Sequence, residues 1–333
     1  MDIERRAFLG GAAAVLAGSA ASAQNWDDYK DPTIVAAEPN APLWPARERF
    51  PLWPGTPPGA RHPLPRPAWN MFADPNYPQL WIKGIAVPEV NVFRPALADG
   101  SSILVIPGGG YAFLAIQNEG LHPAEFFNAK GTTVFVLSYR LPGEGWANRA
   151  LVPLSDAQRA MRLIRAGAGE LKIDPNRLGV MGFSAGGHLA ADLTVSYDQP
   201  AYAPIDAADR ISAKPAFSGL VYPVATFQPF THAGSRDTLL GPNPPASLLQ
   251  ARSPELHITA ASPPSFLVHA FDDTTVPIDN SLAWIAAAHA AKTSVEAHLI
   301  AQGGHGFGLH LPANNPGSRW PDLFSLWMRQ HGG

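Results

Sequence analysis

Ser184 is the residue of this chain whose surroundings most directly indicate chemistry. It lies at the centre of residues 182–186, Gly-Phe-Ser-Ala-Gly, which follow an apolar run ending at Met181 and precede a sequence typical of a helix start. In a G-x-S-x-G turn between a strand and a helix, the glycines allow a sharp bend and the serine hydroxyl stays exposed. The pattern therefore predicts a nucleophilic serine for acyl transfer.

A glycine-rich loop upstream provides candidates for an oxyanion hole. Residues 107–111, Pro-Gly-Gly-Gly-Tyr, follow a short apolar segment that predicts a strand. Consecutive glycines leave backbone N–H groups uncovered, so we expect Gly109 and Gly110 to hold a developing oxyanion together with the N–H of Ala185, the residue after the serine. The alternative is a plain glycine turn or a phosphate-binding loop, but the latter requires G-K-[ST] after the glycines, and none follows.

Two adjacent aspartates are candidates for the acid that orients a catalytic histidine. Residues 265–269 predict a buried strand, and Asp272 and Asp273 follow its end. Because neighbouring residues that leave a strand point to opposite sides, we expect one of the two carboxylates to face the site, and we favour Asp273. The alternative is that both aspartates only form a turn or cap a helix.

His305 is the candidate base. It lies in residues 303–308, Gly-Gly-His-Gly-Phe-Gly, after the last predicted strand, and the glycines give a loop able to bring the ring over the serine. The chain has 11 histidines, so the position of this one, rather than its residue type, indicates the role. The competing histidines are His269, His298 and His310.

Six motifs occur in a fixed order along the chain. They are Pro-Gly-Gly-Gly-Tyr at 107–111, Ser-Tyr-Arg-Leu at 138–141, Asp-Ala-Gln-Arg-Ala-Met-Arg at 156–162, Gly-Phe-Ser-Ala-Gly-Gly-His-Leu-Ala at 182–190, Asp-Asp-x-x-Val-Pro at 272–277 and Gly-Gly-His-Gly-Phe at 303–307. Together they resemble the α/β-hydrolase carbohydrate esterases, namely acetylxylan esterases and bifunctional feruloyl/acetyl esterases. The resemblance runs from about Ile103 to about Trp327, which is most of the chain.

The resemblance implies roles for individual residues. It makes Ser184 the nucleophile, Asp273 the acid and His305 the base, and its D-x-x-V-P spacing selects Asp273 over Asp272. The chain has Pro107 where the loop of common lipases has His, and such a proline is usual in this esterase group. The resemblance implies acetyl or feruloyl ester substrates on plant polysaccharide.

The fold that the sequence indicates is α/β. From Leu80 onward strands and helices alternate, which predicts a mostly parallel central sheet with helices on both faces, and the resemblance implies the α/β-hydrolase fold. The irregular residues 223–264 leave room only for a small cap over the site, or for none. Two helices are predicted from apolar spacing, with core-facing stripes at Ala157, Ala160, Met161 and Ile164, and at Leu282, Ile285 and Ala286, the second with His289 at its polar edge.

The beginning of the chain predicts export and an extended arm. Residues 1–23 carry twin arginines, an alanine-rich run and an Ala-Ser-Ala cleavage site, which indicate a twin-arginine signal, with an ordinary Sec signal as the alternative. Cleavage after Ala23 would give a periplasmic or secreted protein. Residues 24–79 are rich in proline and tryptophan and predict an arm, leaving 80–333 as the hydrolase domain. The arm's tryptophans either pack on the body or line a sugar-binding rim; they are Trp44, Trp53 and Trp69.

Composition excludes several classes of partner. The net charge is −3 and charged residues make up 15%, so no basic surface suggests nucleic acid. No cysteine is present, which excludes disulfides and a lipid anchor on an N-terminal cysteine, so we expect no stable membrane anchor. We find no metal-binding motif and expect no cofactor. The expected partner is a small-molecule or carbohydrate ester, and the sequence leaves the oligomeric state open.

Three further residues are predicted from their positions. Tyr111 follows the oxyanion glycines and Tyr222 ends a strand at the same sheet edge, so both are candidate substrate-binding residues, with core packing as the alternative. His188 lies one helical turn beyond Ser184, and we expect its ring to bond to nearby backbone and brace the turn.

Two other functions share parts of these patterns. A serine peptidase of the prolyl-oligopeptidase kind has the same serine turn and D-x-x-V-P motif, but such enzymes usually carry a large N-terminal propeller. A non-catalytic binding module on the same scaffold usually lacks one member of the Ser-His-Asp set, and here all three are present.

Overall fold

The computed structural model describes residues 43–72 and 79–332 of the 333-residue chain. The strands are β1 Glu48–Pro51, β2 Ala68–Phe72, β3 Gln79–Lys83, β4 Glu89–Phe93, β5 Ser102–Ile106, β6 Leu114–Ala115, β7 Thr133–Ser138, β8 Leu178–Phe183, β9 Ser218–Val221, β10 Ser265–Ala270 and β11 Val295–Ile300. The helices are α1 His122–Asn128, α2 Val152–Ala166, α3 Ala168–Leu171, α4 Ser184–Ser196, α5 Ala233–Leu240, α6 Ala246–Ala251, α7 Asp279–Ala291 and α8 Trp320–Gln330. A π-helical turn, Gln117–Leu121, precedes α1.

Eight strands form one sheet in the order β1-β4-β7-β5-β8-β9-β10-β11. The six strands from β7 to β11 in this order are parallel, and β1 and β4 are antiparallel to their neighbours. Strands β5, β7, β8, β9 and β10 are buried along their whole length, as expected for parallel strands covered on both faces. The predicted α/β-hydrolase fold with a mostly parallel sheet is confirmed.

Helices cover both faces of this sheet. On β8, a methyl group built on Gly182 would lie 2.7 Å from Ala190 Cβ of α4. The preceding residue, Met181, is paired with Gly219 of β9, where a built methyl group would lie 2.9 Å from Phe324 of α8. Because successive strand residues point to opposite faces, α4 and α8 lie on opposite sides of the sheet.

The segment predicted as an arm is part of the body. Strand β1 pairs with β4 at the edge of the main sheet, so the predicted boundary between residues 79 and 80 is wrong. Trp44 and Trp53 are almost fully buried, which supports packing over a sugar-binding rim for both. Their burial follows from the large apolar area of an indole ring, and Trp53 packs edge-on against the ring of Tyr202 with the centroids 4.9 Å apart. The side chain of Trp69 and the export signal at 1–23 lie outside the described part of the chain.

A buried ion pair fastens this segment to the sheet. The guanidinium of Arg140 lies 2.8 Å from Asp156 Oδ1, and both side chains are at most 1% exposed. The same oxygen accepts a hydrogen bond from Trp53 Nε1 at 2.8 Å. Two of the motifs that carry the family resemblance, at 138–141 and 156–162, therefore contribute this structural contact.

Two features of the fold frame the site. Strands β2, β3 and β6 form a second, antiparallel sheet, and β6 follows the glycine loop at 108–110. Helices α5 and α6 occupy the stretch between β9 and β10 and form a small cap, consistent with the predicted size.

Candidate active site

Ser184 lies on the sharp turn between β8 and α4. Its φ is 52°, in the left-handed region. The flanking glycines are required by close approach: a methyl group on Gly182 would lie 2.1 Å from the carbonyl oxygen of Gly186, and one on Gly186 would lie 2.2 Å from that of Ile106. The turn thus needs glycine on both sides of the serine.

The structure brings Ser184, His305 and Asp273 together. Ser184 Oγ lies 2.9 Å from His305 Nε2, and His305 Nδ1 lies 2.7 Å from Asp273 Oδ2. Because a carboxylate oxygen only accepts, Nδ1 carries the proton of the neutral ring and Nε2 is free to accept from the serine hydroxyl. This arrangement has the geometry needed to remove the serine proton during attack on a carbonyl carbon.

Asp273 is held as a carboxylate by its surroundings. Its Oδ1 accepts hydrogen bonds from the backbone N–H of Thr275 at 2.9 Å and of Val276 at 2.8 Å. Burial by itself raises the pKa of Asp273, but the hydrogen bonds from His269, His305 and Val276, with the charge on His305, hold it well below its ordinary value. The carboxylate therefore stays ionised at neutral pH.

His269, a competitor for the role of base, instead supports the acid. Its Nε2 lies 3.1 Å from Asp273 Oδ2 and 3.0 Å from the carbonyl oxygen of Val276. Since both are acceptors, Nε2 carries the proton, and Nδ1 accepts from Ser281 Oγ at 2.7 Å. The ring is fully buried and fixes the orientation of the Asp273 carboxylate.

Asp272 holds the backbone of the loop that carries His305. Its Oδ1 accepts hydrogen bonds from the N–H groups of Gly303 and Gly304, each at 2.8 Å. The two candidate acids thus have separate contacts. Asp273 is hydrogen-bonded to the imidazole ring of His305, and Asp272 is hydrogen-bonded to the backbone of the two glycines before it.

The glycine loop offers free N–H groups to the cleft. Gly109 and Gly110 line the cleft next to Ser184, with φ values of 119° and 63°. Among the described residues, none accepts a hydrogen bond from the N–H of Gly109, Gly110 or Ala185. Ala185 is in the first turn of α4, whose N–H groups have no partner within the helix. These three groups are therefore available to an oxyanion.

Glu119 is a buried carboxyl group behind the glycine loop that sequence reasoning missed. It lies in the π-helical turn, and its Oε2 accepts a hydrogen bond from Gly108 N at 2.6 Å. Its Oε1 accepts from the hydroxyl of Tyr222 at 2.9 Å, and that hydroxyl accepts from Gly308 N at 3.0 Å. Burial raises the pKa of Glu119, and the contacts with Gly108, His305 and Tyr222 lower it to a smaller extent. Glu119 and Tyr222 together connect the glycine loop to the loop of His305.

The prediction that Tyr111 and Tyr222 bind substrate is not supported by the structure. Both rings are at most 1% exposed, and within the described part of the chain the cleft is lined by neither. Both residues have positive φ, 61° and 37°, which turns the side chains beneath the loops. The Tyr111 hydroxyl bonds to His188 Nδ1 at 2.7 Å, as Tyr222 does to Glu119.

His188 has the bracing contact that its position predicts. Its Nε2 lies 2.9 Å from the carbonyl oxygen of Arg252, so Nε2 donates and Nδ1 accepts from Tyr111. The ring is fully buried, and burial lowers its pKa, which keeps it neutral. It ties α4 to the segment after α6.

The cleft in front of Ser184 has a volume of about 990 Å³. Trp81 of β3 and Phe113 line it with rings stacked 4.0 Å apart, so the second sheet contributes an apolar wall. His232 and Thr238 from the cap also line it. No local pattern in the sequence marks these wall residues, because pairing of distant segments brings them to the site.

The described residues contain neither a metal-binding cluster nor a helix that could span a membrane. Within residues 43–72 and 79–332, no group of three or more His, Cys, Asp or Glu side chains is arranged to hold a metal ion. Over the same ranges, none of the helices is both long and apolar enough to cross a bilayer.

Comparison with known sequences gives a family match and several relatives. A family model described as BD-FAE matches residues 91–287. The chain is 37% identical over 209 residues to endo-1,4-beta-xylanase B of Butyrivibrio fibrisolvens, covering 61% of this chain and 32% of that protein. It is 30% identical over 248 residues to an acetylxylan esterase of Xylanibacter ruminicola, covering 73% of this chain and 45% of that protein. The chain thus spans less than half the length of these curated relatives.

Solved structures show the same fold. An acetyl ester-xyloside bifunctional hydrolase from Caldicellulosiruptor lactoaceticus superposes with a TM-score of 0.71 at 34% identity, covering 86% of this chain and 97% of that chain. Thermogutta terrifontis esterase 2 phosphonylated by cyclosarin superposes with a TM-score of 0.62 at 25% identity, covering 81% and 97%.

Proposed function

The chain belongs to the BD-FAE family of α/β hydrolases, and we propose from this premise that it is a serine esterase that cleaves carboxylic esters through an acyl-enzyme. One observation carries the proposal: Ser184 Oγ, His305 Nε2, His305 Nδ1 and Asp273 Oδ2 form a continuous hydrogen-bonded chain at one end of a cleft. Esterases among the relatives and structural neighbours support the same reaction class.

In the proposed reaction, His305 Nε2 takes the proton of Ser184 as Oγ bonds to the carbonyl carbon of the ester. The N–H groups of Gly109, Gly110 and Ala185 hold the oxyanion that forms. The bond from the acyl carbon to the alcohol oxygen then breaks, and His305 returns its proton to that oxygen. Water activated by His305 attacks the acyl carbon, which releases the carboxylic acid and restores Ser184.

The acyl group that we propose is acetyl or feruloyl, carried on plant polysaccharide. Two similar proteins support the acetyl group by name, one an acetylxylan esterase and the other an acetyl ester-xyloside bifunctional hydrolase. The wall formed by Trp81 and Phe113 is suited to pack against a sugar face or an aromatic acid, since aromatic rings provide large flat apolar contacts.

A panel of esters tests the reaction and the acyl group. We expect purified protein to release acetate from acetylated xylan and to cleave p-nitrophenyl acetate, and methyl ferulate measures feruloyl activity. Diisopropyl fluorophosphate should inactivate the protein and add its phosphoryl group to the peptide that contains Ser184. Folded protein that cleaves none of these esters and takes up no label would overturn the proposal.

We also propose that the protein is exported to the periplasm or secreted. The support is the signal-like sequence of residues 1–23, with Arg5 and Arg6 before an apolar run. Fractionation of cells expressing the full chain should give a product that begins at Gln24. Replacing both arginines with lysine should block export by the twin-arginine route but not by the Sec route.

A further inference from the structure

His232 occupies a position in the cleft that the proposed reaction does not use. It follows β9 in the cap, immediately before α5, and lines the same cleft as Ser184 and His305. A methyl group built on Gly110 would lie 4.0 Å from His232 Cε1, so the ring lies beside the oxyanion glycines. The residue is half-buried.

The contacts of one ring nitrogen fix the proton on the other. His232 Nδ1 accepts from the backbone N–H of Ser235 at 3.3 Å and lies 2.8 Å from Ser235 Oγ. An atom that accepts from a backbone N–H carries no proton itself, so the neutral ring has its proton on Nε2. Burial and the neighbouring His305 lower the pKa of His232, against a smaller opposite effect of Asp273, which keeps the ring neutral.

Among the residues that the structure describes, none accepts a hydrogen bond from the Nε2–H group. In the described ranges, His232 makes hydrogen bonds through Nδ1 to Ser235, and none is formed by Nε2. An N–H group without a partner, on a residue that lines a substrate cleft, becomes costly when a ligand displaces water without replacing its hydrogen bond. A substrate with a suitably placed acceptor oxygen should therefore bind more favourably than a substrate without one.

We propose that His232 is a specificity residue that donates a hydrogen bond from Nε2 to a hydroxyl oxygen next to the ester in a polyhydroxylated alcohol. An acetyl group has no oxygen other than those of the ester itself, and the carbonyl oxygen is assigned to Gly109, Gly110 and Ala185. A further acceptor near the ester must therefore belong to the alcohol, as in a monoacetylated sugar. This inference rests on the proposed esterase function and narrows it to esters of vicinal polyols.

The test compares two esters that differ by one hydroxyl group. These are cyclohexyl acetate and the monoacetate of trans-cyclohexanediol, and the measured quantity is the ratio of their kcat/KM values. We expect wild type to favour the diol ester. His232→Asn keeps an acceptor for the Ser235 N–H, since asparagine is a good N-cap, but removes the donor at the Nε2 position. The loss of one neutral hydrogen bond should lower the ratio about 2- to 12-fold.

Two further variants separate specificity from folding. His232→Gln places an amide N–H₂ near the position of Nε2 and should largely keep the wild-type ratio. Ser235→Ala removes the hydroxyl beside Nδ1 but leaves Nε2 intact, and it should also keep the ratio. Thermal unfolding of each variant reports the cost of changing the cap of α5.

Three results would overturn the assignment. One is an unchanged ratio in His232→Asn, including an equal loss on both esters, which would place the contact on the ester group. Another is an equal fall of the ratio in the Asn and Gln variants, which would exclude the Nε2 donor. If wild type hydrolyses neither ester nor p-nitrophenyl acetate, the esterase proposal itself fails, and this outcome is distinguished by the wild-type measurement alone.

Discussion

Asp272 and Asp273 are consecutive in the chain, yet they support His305 in different ways. Asp273 Oδ2 lies 2.7 Å from the Nδ1 atom of the ring, while Asp272 Oδ1 accepts hydrogen bonds from the two glycine N–H groups that precede His305. The Asp273 carboxylate therefore orients the imidazole, and the Asp272 carboxylate holds the backbone of the loop that carries His305.

This division predicts unequal effects of the same substitution. Asp273→Asn should lower kcat about 10³- to 10⁴-fold, because the histidine tautomer is no longer held. Asp272→Asn keeps an acceptor oxygen for Gly303 and Gly304, and because Asp272 is exposed, water compensates for part of any loss. We expect less than about 10-fold for this variant. Steady-state kinetics on p-nitrophenyl acetate measures both, and a reversed order would make Asp272 the acid.

Ser184→Ala should reduce turnover about 10⁴-fold or more. The reason is that no acyl-enzyme can form without Oγ. The close contacts of Gly182 and Gly186 do not involve the hydroxyl of Ser184, so the turn should persist and the thermal midpoint should stay close to that of wild type. His305→Ala is the matched comparison, since members of one catalytic unit give similar, non-additive losses. Near-normal activity in purified, folded Ser184→Ala protein would contradict the mechanism.

The parts of the site that could be predicted from sequence are those with a local pattern. Ser184 is flanked by the glycines that its turn requires, and His305 lies in a glycine loop after the last strand. The sheet was predictable for a similar reason, because buried parallel strands are continuous apolar runs. In α2 the predicted stripe of Ala157, Ala160, Met161 and Ile164 is fully buried.

The errors have a common physical origin, which is that local spacing does not fix the direction of a side chain. In α7 the predicted stripe began at Leu282, but Leu282 is 41% exposed and the helix buries Ser281, Trp284 and Ala288 instead. That helix is apolar on several sides, so its spacing did not select one face. Tyr111 follows the oxyanion glycines and Tyr222 follows β9, as the sequence indicated, but both residues have positive φ values and their rings are buried.

Glu119 and His232 lie outside every motif, and distant contacts bring them to the site. Glu119 meets Gly108 and Tyr222, and His232 approaches Gly110, none of which is adjacent in the chain. The one available signal for Glu119 was that it is an isolated acidic residue a few positions after the apolar residues 114–116. For His232, nothing local distinguishes it from the other ten histidines.

Because Tyr111 and Tyr222 are buried, we expect their substitution to lower the free energy of unfolding, to different extents. Tyr222→Phe leaves Glu119 Oε1 without its donor and Gly308 N–H without its acceptor, whereas Tyr111→Phe leaves only His188 Nδ1. At about 1–3 kcal/mol for each unsatisfied buried group, we expect a loss in the free energy of unfolding of about 2–6 kcal/mol for Tyr222→Phe and about 1–3 kcal/mol for Tyr111→Phe. Urea denaturation measures both values.

The acyl-chain preference of Tyr111→Phe provides the control for this prediction about stability. Because neither ring lines the cleft, folded Tyr111→Phe should keep the wild-type order of kcat/KM on acetate, butyrate and octanoate esters. A clear shift toward longer acyl chains would mean that Tyr111 does contact the acyl group and that its buried position is not the one used during turnover.

Glu119 provides a prediction about the pH dependence of stability. Burial raises the pKa of this carboxyl group, so the folded protein binds its proton more tightly than the unfolded chain does. For such a group the free energy of unfolding falls as pH rises from the unfolded pKa, ordinarily about 4.3, through the folded pKa. Glu119→Gln removes this ionisation. Its amide oxygen still accepts from Gly108 N–H, and its N–H₂ donates to the Tyr222 hydroxyl oxygen.

The stability of Glu119→Gln relative to wild type should therefore increase between pH 4 and pH 7, as measured by urea denaturation in steps of one pH unit. Glu125→Gln, at an exposed position on the adjacent α1, controls for the general effect of removing one negative charge, and its difference from wild type is subtracted. A relative stability that decreases with rising pH would mean that the hydrogen bonds from Gly108 and Tyr222 outweigh burial and that the pKa of Glu119 is lowered rather than raised.

Substitutions of Glu119 should also affect catalysis through the glycine loop. Glu119→Ala removes the acceptor for Gly108 N–H as well as the charge, and it should lower kcat about 10²-fold, while Glu119→Gln retains more activity.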